Sequence, residues 1–161
     1  LAETLLRLPG FAREERDFKE QTRELLNFVG LSDYAEEQAR NLPFGHQRRL
    51  EIARALALKP RLLLLDEPAA GLTHGEIEGL KTLIRLLADC GVTVILVEHH
   101  VDMVMTVSDH VTVLDYGRVI ADGTAAEVQD DPAVVEAYFG AAGKTLGVTA
   151  ESGELARGAA E

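Results

Sequence analysis

Arg61-Leu62-Leu63-Leu64-Leu65-Asp66-Glu67-Pro68 is the stretch on which the reading of the whole chain turns. Four leucines run unbroken into two carboxylates, with Pro60 before and Pro68 after. A continuous apolar run of that length reads as a strand buried on both faces, the kind found in parallel sheets covered by helices. Open α/β sheets place their ligands beyond the carboxyl ends of such strands, where Asp66 and Glu67 fall. One acid there could hold a metal while the other positions or deprotonates a water. The same two acids could also simply begin a turn after a core strand.

Working outward, Val92 to Val97 form a second apolar run, and Thr73 with Glu76 is a capping box opening a helix between the two. Ile77, Leu80, Ile84 and Leu87 lie on one stripe of that helix, which stops near Gly91. Residues 61–97 therefore read as strand–helix–strand with a right-handed crossover. Glu98-His99-His100 leave the second strand at the edge that carries Asp66 and Glu67, so a histidine there could reach a phosphate or water faced by Glu67. Zinc binding by the pair is not expected, because adjacent extended residues point apart and no cysteine or third histidine is near in sequence.

Upstream, Pro9-Gly10 is a turn signal, and residues 13–29 look helical. Phe18, Leu25, Leu26 and Val29 share a narrow stripe, Glu15–Lys19 and Arg16–Glu20 are i,i+4 pairs, and Gly30 suits the stop. Ser32 with Glu36 is read as the cap of a short helix over 33–39. A Pro/Gly loop at 41–45 leads into a helix with apolar residues at 50, 53, 56 and 57 that ends before Pro60. A glycine at a helix start can present N–H groups to an anion, although an ordinary loop and cap would look the same. Downstream, residues 101–108 form a short helix in which Met103 and Met105 fill core space. Residues 110–122 form two strands about Asp115-Tyr116-Gly117-Arg118, a hairpin signal. A short helix then follows Gly123-Thr124 through Val128, and Pro132 opens another over 133–139. From Gly140 the chain turns small and polar and reads as a disordered tail.

Composition narrows the function. The chain has 161 residues, 47% hydrophobic and 27% charged, enough for one domain with a real core. Its formal net charge of −11 leaves no broad basic face to displace counterions from nucleic acid, so no nucleic-acid partner is expected. Cys90 is the sole cysteine, which gives no internal disulfide framework and fits a reducing compartment. No apolar run approaches the ~20 residues needed to cross a membrane, and no signal peptide opens the chain. Leu1 is not methionine, so a fragment, or a chain whose start was not captured, is expected. Gly143-Lys144-Thr145 imitates the end of a P-loop, but Tyr138 stands where the pattern wants its first glycine and no strand precedes it.

In order, Phe44-Gly45-His46-Gln47-Arg48-Arg49, Leu62 to Pro68, Ala70-Gly71-Leu72 and Val97-Glu98-His99 resemble the ATP-binding cassette (ABC) ATPases. Gln47 to Leu56, Asp66 to Leu72, Val113 to Gly117, Ala121 to Thr124 and Pro132 to Gly140 are similar to the ATP-binding subunits of branched-chain amino-acid importers. The resemblance covers roughly residues 5–140. It implies an α/β, P-loop NTPase-like ABC ATPase fold, C-terminal part: residues 1–44 in a helical signature subdomain, 45–140 in the ATPase core with a mostly parallel sheet, flanking helices and a β-hairpin, and 141–161 as a tail.

Carried over by position, the resemblance implies that Leu42, Pro43, Phe44, Gly45 and His46 form the signature loop, which meets the γ-phosphate of ATP held by a partner subunit. Asp66 would support Mg²⁺ through water, Glu67 would polarise the attacking water, and His99 would contact the γ-phosphate. Ala70, Gly71, Leu72 and Thr73 would form the D-loop at the dimer interface. ATP and Mg²⁺ are the implied cofactors. The implied partners are a second ATP-binding subunit in a head-to-tail dimer, transmembrane permease subunits and, indirectly, a solute-binding protein. The implied place is the cytoplasmic face of the cell membrane, peripherally bound. Branched-chain amino acids or related small polar solutes would be the cargo.

The family's Walker A P-loop, adenine-stacking aromatic and Q-loop glutamine lie upstream of the matched region and have no counterpart in this sequence, so weak or absent MgATP binding by these residues alone is expected. Proline at 43 brings neither a hydroxyl nor an N–H to the signature loop. His46 stands for the usual Gln, and Thr73 for Asp or Asn. The other classes are a truncated, non-hydrolysing interaction module and an ABC-type ATPase of DNA repair or translation. Negative charge and the importer-like hairpin weigh against the latter.

Overall fold

Pro9 opens α1 (Pro9–Phe28) in the computed structural model, which describes residues 9–143. The helix begins at Pro9 where a turn is expected from the sequence, because proline's missing N–H has no partner to lose in a first helical turn. Glu15 and Lys19 make the expected ion pair at 2.8 Å. Gly30 ends the helix at φ +74, with its own N–H on Asn27 C=O and Leu31 N–H on Leu26 C=O, the paired bonds of a Schellman stop. Leu31 and Val29 are each 1% exposed, so the stop also seals the end of the helix. No α-helix follows over 33–39. Two short 3₁₀ turns, Ser32–Tyr34 and Ala39–Asn41, stand there instead. The Ser32 hydroxyl donates back to Asn27 rather than accepting from the residues it was expected to cap.

The next helix, α2 (Phe44–Leu56), buries Ile52 and Ala53 and leads through Lys59, at φ +51, into β1 (Leu62–Asp66). The Thr73–Glu76 capping box forms as expected and opens α3 (His74–Asp89), whose buried stripe is Leu80, Leu83, Ile84 and Leu87. Gly91, at φ +84, turns the chain into β2 (Thr93–Val97). The two strands pair in parallel, Leu62 with Thr93 through Asp66 with Val97, and the strand–helix–strand unit is as the sequence predicts.

The double-sided burial of β1 is not. Leu63 is 6% exposed, but Leu62 and Leu64 are 49% and 67% exposed, and Ile95 and Val97 beside them 51% and 57%. Side chains alternate across a strand, so a sheet covered on one side leaves every second residue out. Ile52 and Ala55 of α2 line a cavity of about 230 Å³ with Leu63, Leu64 and Leu65 of β1.

The chain divides after Met103 into two compact units, within the short helix α4 (Val101–Val107). Met103 is fully buried, as its reading as core filler requires. In the second unit β3 (Val111–Asp115) and β4 (Arg118–Gly123) form the expected antiparallel hairpin. Its two-residue turn, Tyr116-Gly117, has φ of +45 and +76, which matches the twist of the strands. A second capping box, Thr124 with Glu127, opens α5 (Ala125–Gln129). The last helix, α6 (Pro132–Gly143), runs beyond the expected end at 139. Val111, Val113, Ala121, Val128 and Val134 form the core of this unit. The rest of the expected tail, 144–161, lies outside the described residues, as do Lys144 and Thr145 of the P-loop imitation. Among the described residues no helix is long and apolar enough to cross a membrane.

Candidate functional site

Asp66 and Val97 close the ladder between β1 and β2. One further bond, Glu67 N–H to Val97 C=O at 2.8 Å, holds the chains together just past it. There Glu67 takes φ +42, a left-handed backbone that a side chain adopts only under local constraint. The turn leaves its carboxylate more than half exposed, with an oxygen 3.6 Å from Nδ1 of His99. Glu67 and His99 thus approach one another just beyond the carboxyl end of the parallel pair, where Asp66 is the last residue of β1.

The group that organises this edge is Glu98, whose side chain is inaccessible to solvent. Its Oε1 accepts the Ala69 N–H at 2.8 Å, fixing the loop after β1. Its Oε2 accepts the N–H of His99 at 3.1 Å and that of His100 at 3.4 Å, and meets His100 Nδ1 at 2.9 Å. Burial raises the Glu98 pKa, but the His100 side chain and the three backbone donors outweigh it, and the carboxyl sits below the ordinary glutamate value.

This wrapping corrects the expectation for the histidine pair. Adjacent side chains diverge on an extended chain, but residues 98–100 curl around one carboxylate oxygen, and the rings of His99 and His100 lie 4.5 Å apart. Donor atoms of Glu98, His99 and His100 all fall within 4.8 Å of one another.

A second cluster forms at the start of α2. Pro43 supplies the cap position at φ −54 and ψ 151, and its carbonyl accepts from His46 N–H and Gln47 N–H. Leu42 is 7% exposed, with its carbonyl held by the Gln47 side chain at 2.8 Å. The Gly45 N–H faces the Glu76 carboxylate, and a side chain at position 45 would fall on Oε1 of Glu76. The N–H that the sequence offered to an external anion is therefore directed to an internal one. Thr73 N–H and hydroxyl hold the other Glu76 oxygen at 2.8 and 2.7 Å. Glu76 titrates below its ordinary value, chiefly from the Thr73 N–H, then the Thr73 hydroxyl, with Gly45 N–H and His46 adding to it against some burial. The His46 ring lies 4.6 Å from that of Tyr34, and its Nδ1 is buried without a hydrogen-bond partner.

Two turns shape residues 67–73: Ala70 N–H on Glu67 C=O and Leu72 N–H on Ala69 C=O, both 3.1 Å. Gly71, at φ +77, lets the Phe44 ring pack against it, since a Cβ there would sit 3.1 Å from the ring. Arg48 lies over the same ring at 5.2 Å. The structure thus joins Phe44 and Gly45 to the 71–76 segment, and that segment to Glu67 through a few residues of chain. Sequence reasoning noticed Glu76 only as a helix cap and Glu98 only as leaving a strand. The available signal for Glu98 was an acid entering a sheet edge that already held two acids and two histidines.

Comparison with known proteins agrees with this architecture. Residues 3–70 match the ABC transporter family, and residues 118–144 match the branched-chain amino acid ATP-binding cassette transporter family. The chain is 45% identical over 139 residues to the high-affinity branched-chain amino acid transport ATP-binding protein BraF of Pseudomonas aeruginosa, covering 86% of this chain and 54% of that protein. It is 40% identical, with the same coverage, to the corresponding protein LivG of Escherichia coli K12. Among solved structures, the ADP conformation of an ATP-binding cassette of an ABC transporter superposes with a TM-score of 0.69 at 34% identity, covering 75% of this chain and 49% of that one. The chain spans about half the length of the curated relatives it matches.

Proposed function

Because this chain belongs to the ABC transporter ATP-binding family, we propose that it is the C-terminal part of an importer ATPase that couples ATP hydrolysis to uptake of branched-chain amino acids or related small polar solutes. The observation that carries this reading is the 3.6 Å approach of His99 to Glu67 at the carboxyl end of β1, in a chain so similar to BraF. Hydrolysis of a phosphoanhydride is chiefly positioning and charge stabilisation, and this edge offers the groups for it. The exposed carboxylate of Asp66 is a hard oxygen donor that suits Mg²⁺ held through water. When bound, Mg²⁺ with ATP supplies the phosphoryl group and neutralises part of its charge.

The chain's own residues do the rest. Glu67, displayed by its left-handed backbone, orients and polarises the attacking water. His99, steered by Glu98, faces the γ-phosphate. Leu42 to His46 form the signature loop, which serves the nucleotide of a second ATP-binding subunit in a head-to-tail dimer. Ala70 to Thr73 form the D-loop beside it. The division into a helical subdomain over 1–44, an ATPase core over 45–140 and a tail over 141–161 belongs to the same proposal. So do transmembrane permease partners, an indirectly engaged solute-binding protein and a peripheral place at the cytoplasmic face of the membrane.

The test uses the longer subunit. Glu67→Gln is expected to abolish most ATP turnover while leaving nucleotide binding in place, and unchanged turnover would refute the assignment. A calorimetric titration of the 161-residue chain with MgATP is expected to give no binding at millimolar nucleotide. Binding abolished by Asp66→Ala would show a nucleotide site without a P-loop and would require a different architecture.

A further inference from the structure

We propose that Glu98, His99 and His100, with Glu67 in reach, form a binding site for a borderline divalent cation of the zinc class. The donor set is mixed imidazole and carboxylate, which suits such a cation better than the harder Mg²⁺. The spacing suits it too. Bonds of about 2.0–2.2 Å to nitrogen and oxygen place the ligand atoms of a tetrahedral site roughly 3.3–3.6 Å apart. Here His100 Nδ1 lies 2.9 Å and His99 Nδ1 3.9 Å from Glu98 Oε2, and His99 Nδ1 lies 3.6 Å from Glu67 Oε1. These values bracket the requirement. The His99 and Glu67 side chains, 60% and 56% exposed, are free to close the remaining distance.

The central ligand is already positioned. Ala69 N–H holds Oε1 of Glu98 and two backbone N–H groups hold Oε2, a fixed outer layer of the kind that orients metal ligands. The cation takes the place of the hydrogen bond between His100 Nδ1 and Glu98 Oε2: a proton on Nδ1 moves to Nε2, or leaves to solvent where Nε2 already carries one. The site is assembled by the bend that brings the two histidine rings together. On the function proposed above, a cation there takes two side chains assigned to the γ-phosphate and its water. Zinc would then lower turnover in the longer subunit, but the binding itself does not depend on that function.

The experiment is a calorimetric titration of the 161-residue chain with zinc chloride in a non-coordinating, phosphate-free buffer. One zinc per chain is expected, with affinity reduced tenfold or more in His100→Ala and equally in His100→Gln, which keeps a donor toward Glu98. Far-UV circular dichroism checks that each variant is folded. His110, paired with Asp122 at 3.0 Å, is a competing surface imidazole, and His110→Ala is expected to leave the affinity unchanged. Absence of binding, wild-type affinity retained in either His100 variant, or loss of binding in His110→Ala would each overturn the site.

Discussion

Glu98→Gln removes one charge and reverses one hydrogen-bonding edge in a side chain with no solvent access. The carboxylate accepts four bonds: Ala69 N–H on one oxygen, and His99 N–H, His100 N–H and His100 Nδ1 on the other. A glutamine can keep its oxygen toward the histidines, which turns its NH₂ on the Ala69 N–H. It can instead flip, which turns the NH₂ on three donors. The first arrangement is cheaper. It leaves the N–H of Ala69, a residue 1% exposed, buried and unpaired, at about 1–3 kcal/mol, and it weakens the remaining bonds by removing their charge. Because bonds in one network are not additive, the expected loss is about 2–4 kcal/mol at neutral pH. Urea unfolding followed by circular dichroism measures it, and amide exchange at Ala69 localises it.

The pH dependence sharpens the test. The Glu98 pKa is lowered in the folded state, so its contribution is complete above the ordinary glutamate range of about 4.3 and is lost as pH falls through the lower folded value. The gap between the wild-type chain and Glu98→Gln should therefore be constant from neutral pH to about pH 5 and shrink below about pH 4. A gap under about 0.5 kcal/mol at neutral pH, the size of an ordinary surface change, or one that persists undiminished in acid, would refute the role given to this carboxylate.

Two further substitutions probe the scaffold. Leu63→Ala should cost about 2–5 kcal/mol in urea unfolding, whereas Leu64→Ala should stay within about 0.5 kcal/mol, because Leu63 is 6% and Leu64 67% exposed. Equal losses would mean that both faces of β1 are covered. Gly71→Ala should cost about 1–2 kcal/mol from its positive φ alone, and crowding of Phe44 should also appear as a changed ring environment by nuclear magnetic resonance.

What the sequence discloses and what it hides divide along a physical line. Local rules carried the capping box at Thr73, the helix opened at Thr124, the Gly30 stop and the Tyr116-Gly117 turn, because each depends on residues a few positions apart. Register-level inference carried the parallel pairing that sets Asp66 beside Val97. Burial did not follow, since an apolar run states what a strand tolerates and not what packs on it. Leu62 and Leu64 are as apolar as Leu63 and remain exposed.

The histidine pair failed for a related reason. Its expected divergence assumed an extended backbone, and the chain instead bends around Glu98, a contact network in which the decisive donor, Ala69 N–H, lies 29 residues away. Glu76 follows the same logic. Its bond to Thr73 is local and legible, whereas its approach to Gly45 depends on how α2 and α3 pack. A carboxylate that caps one helix while facing the first turn of another ties the proposed signature loop to the proposed D-loop by a single side chain. An anion brought to the Gly45 N–H would have to displace Oε1 of Glu76, while Thr73 continues to hold the other oxygen. Occupancy at the start of α2 would therefore be felt directly at the cap of α3.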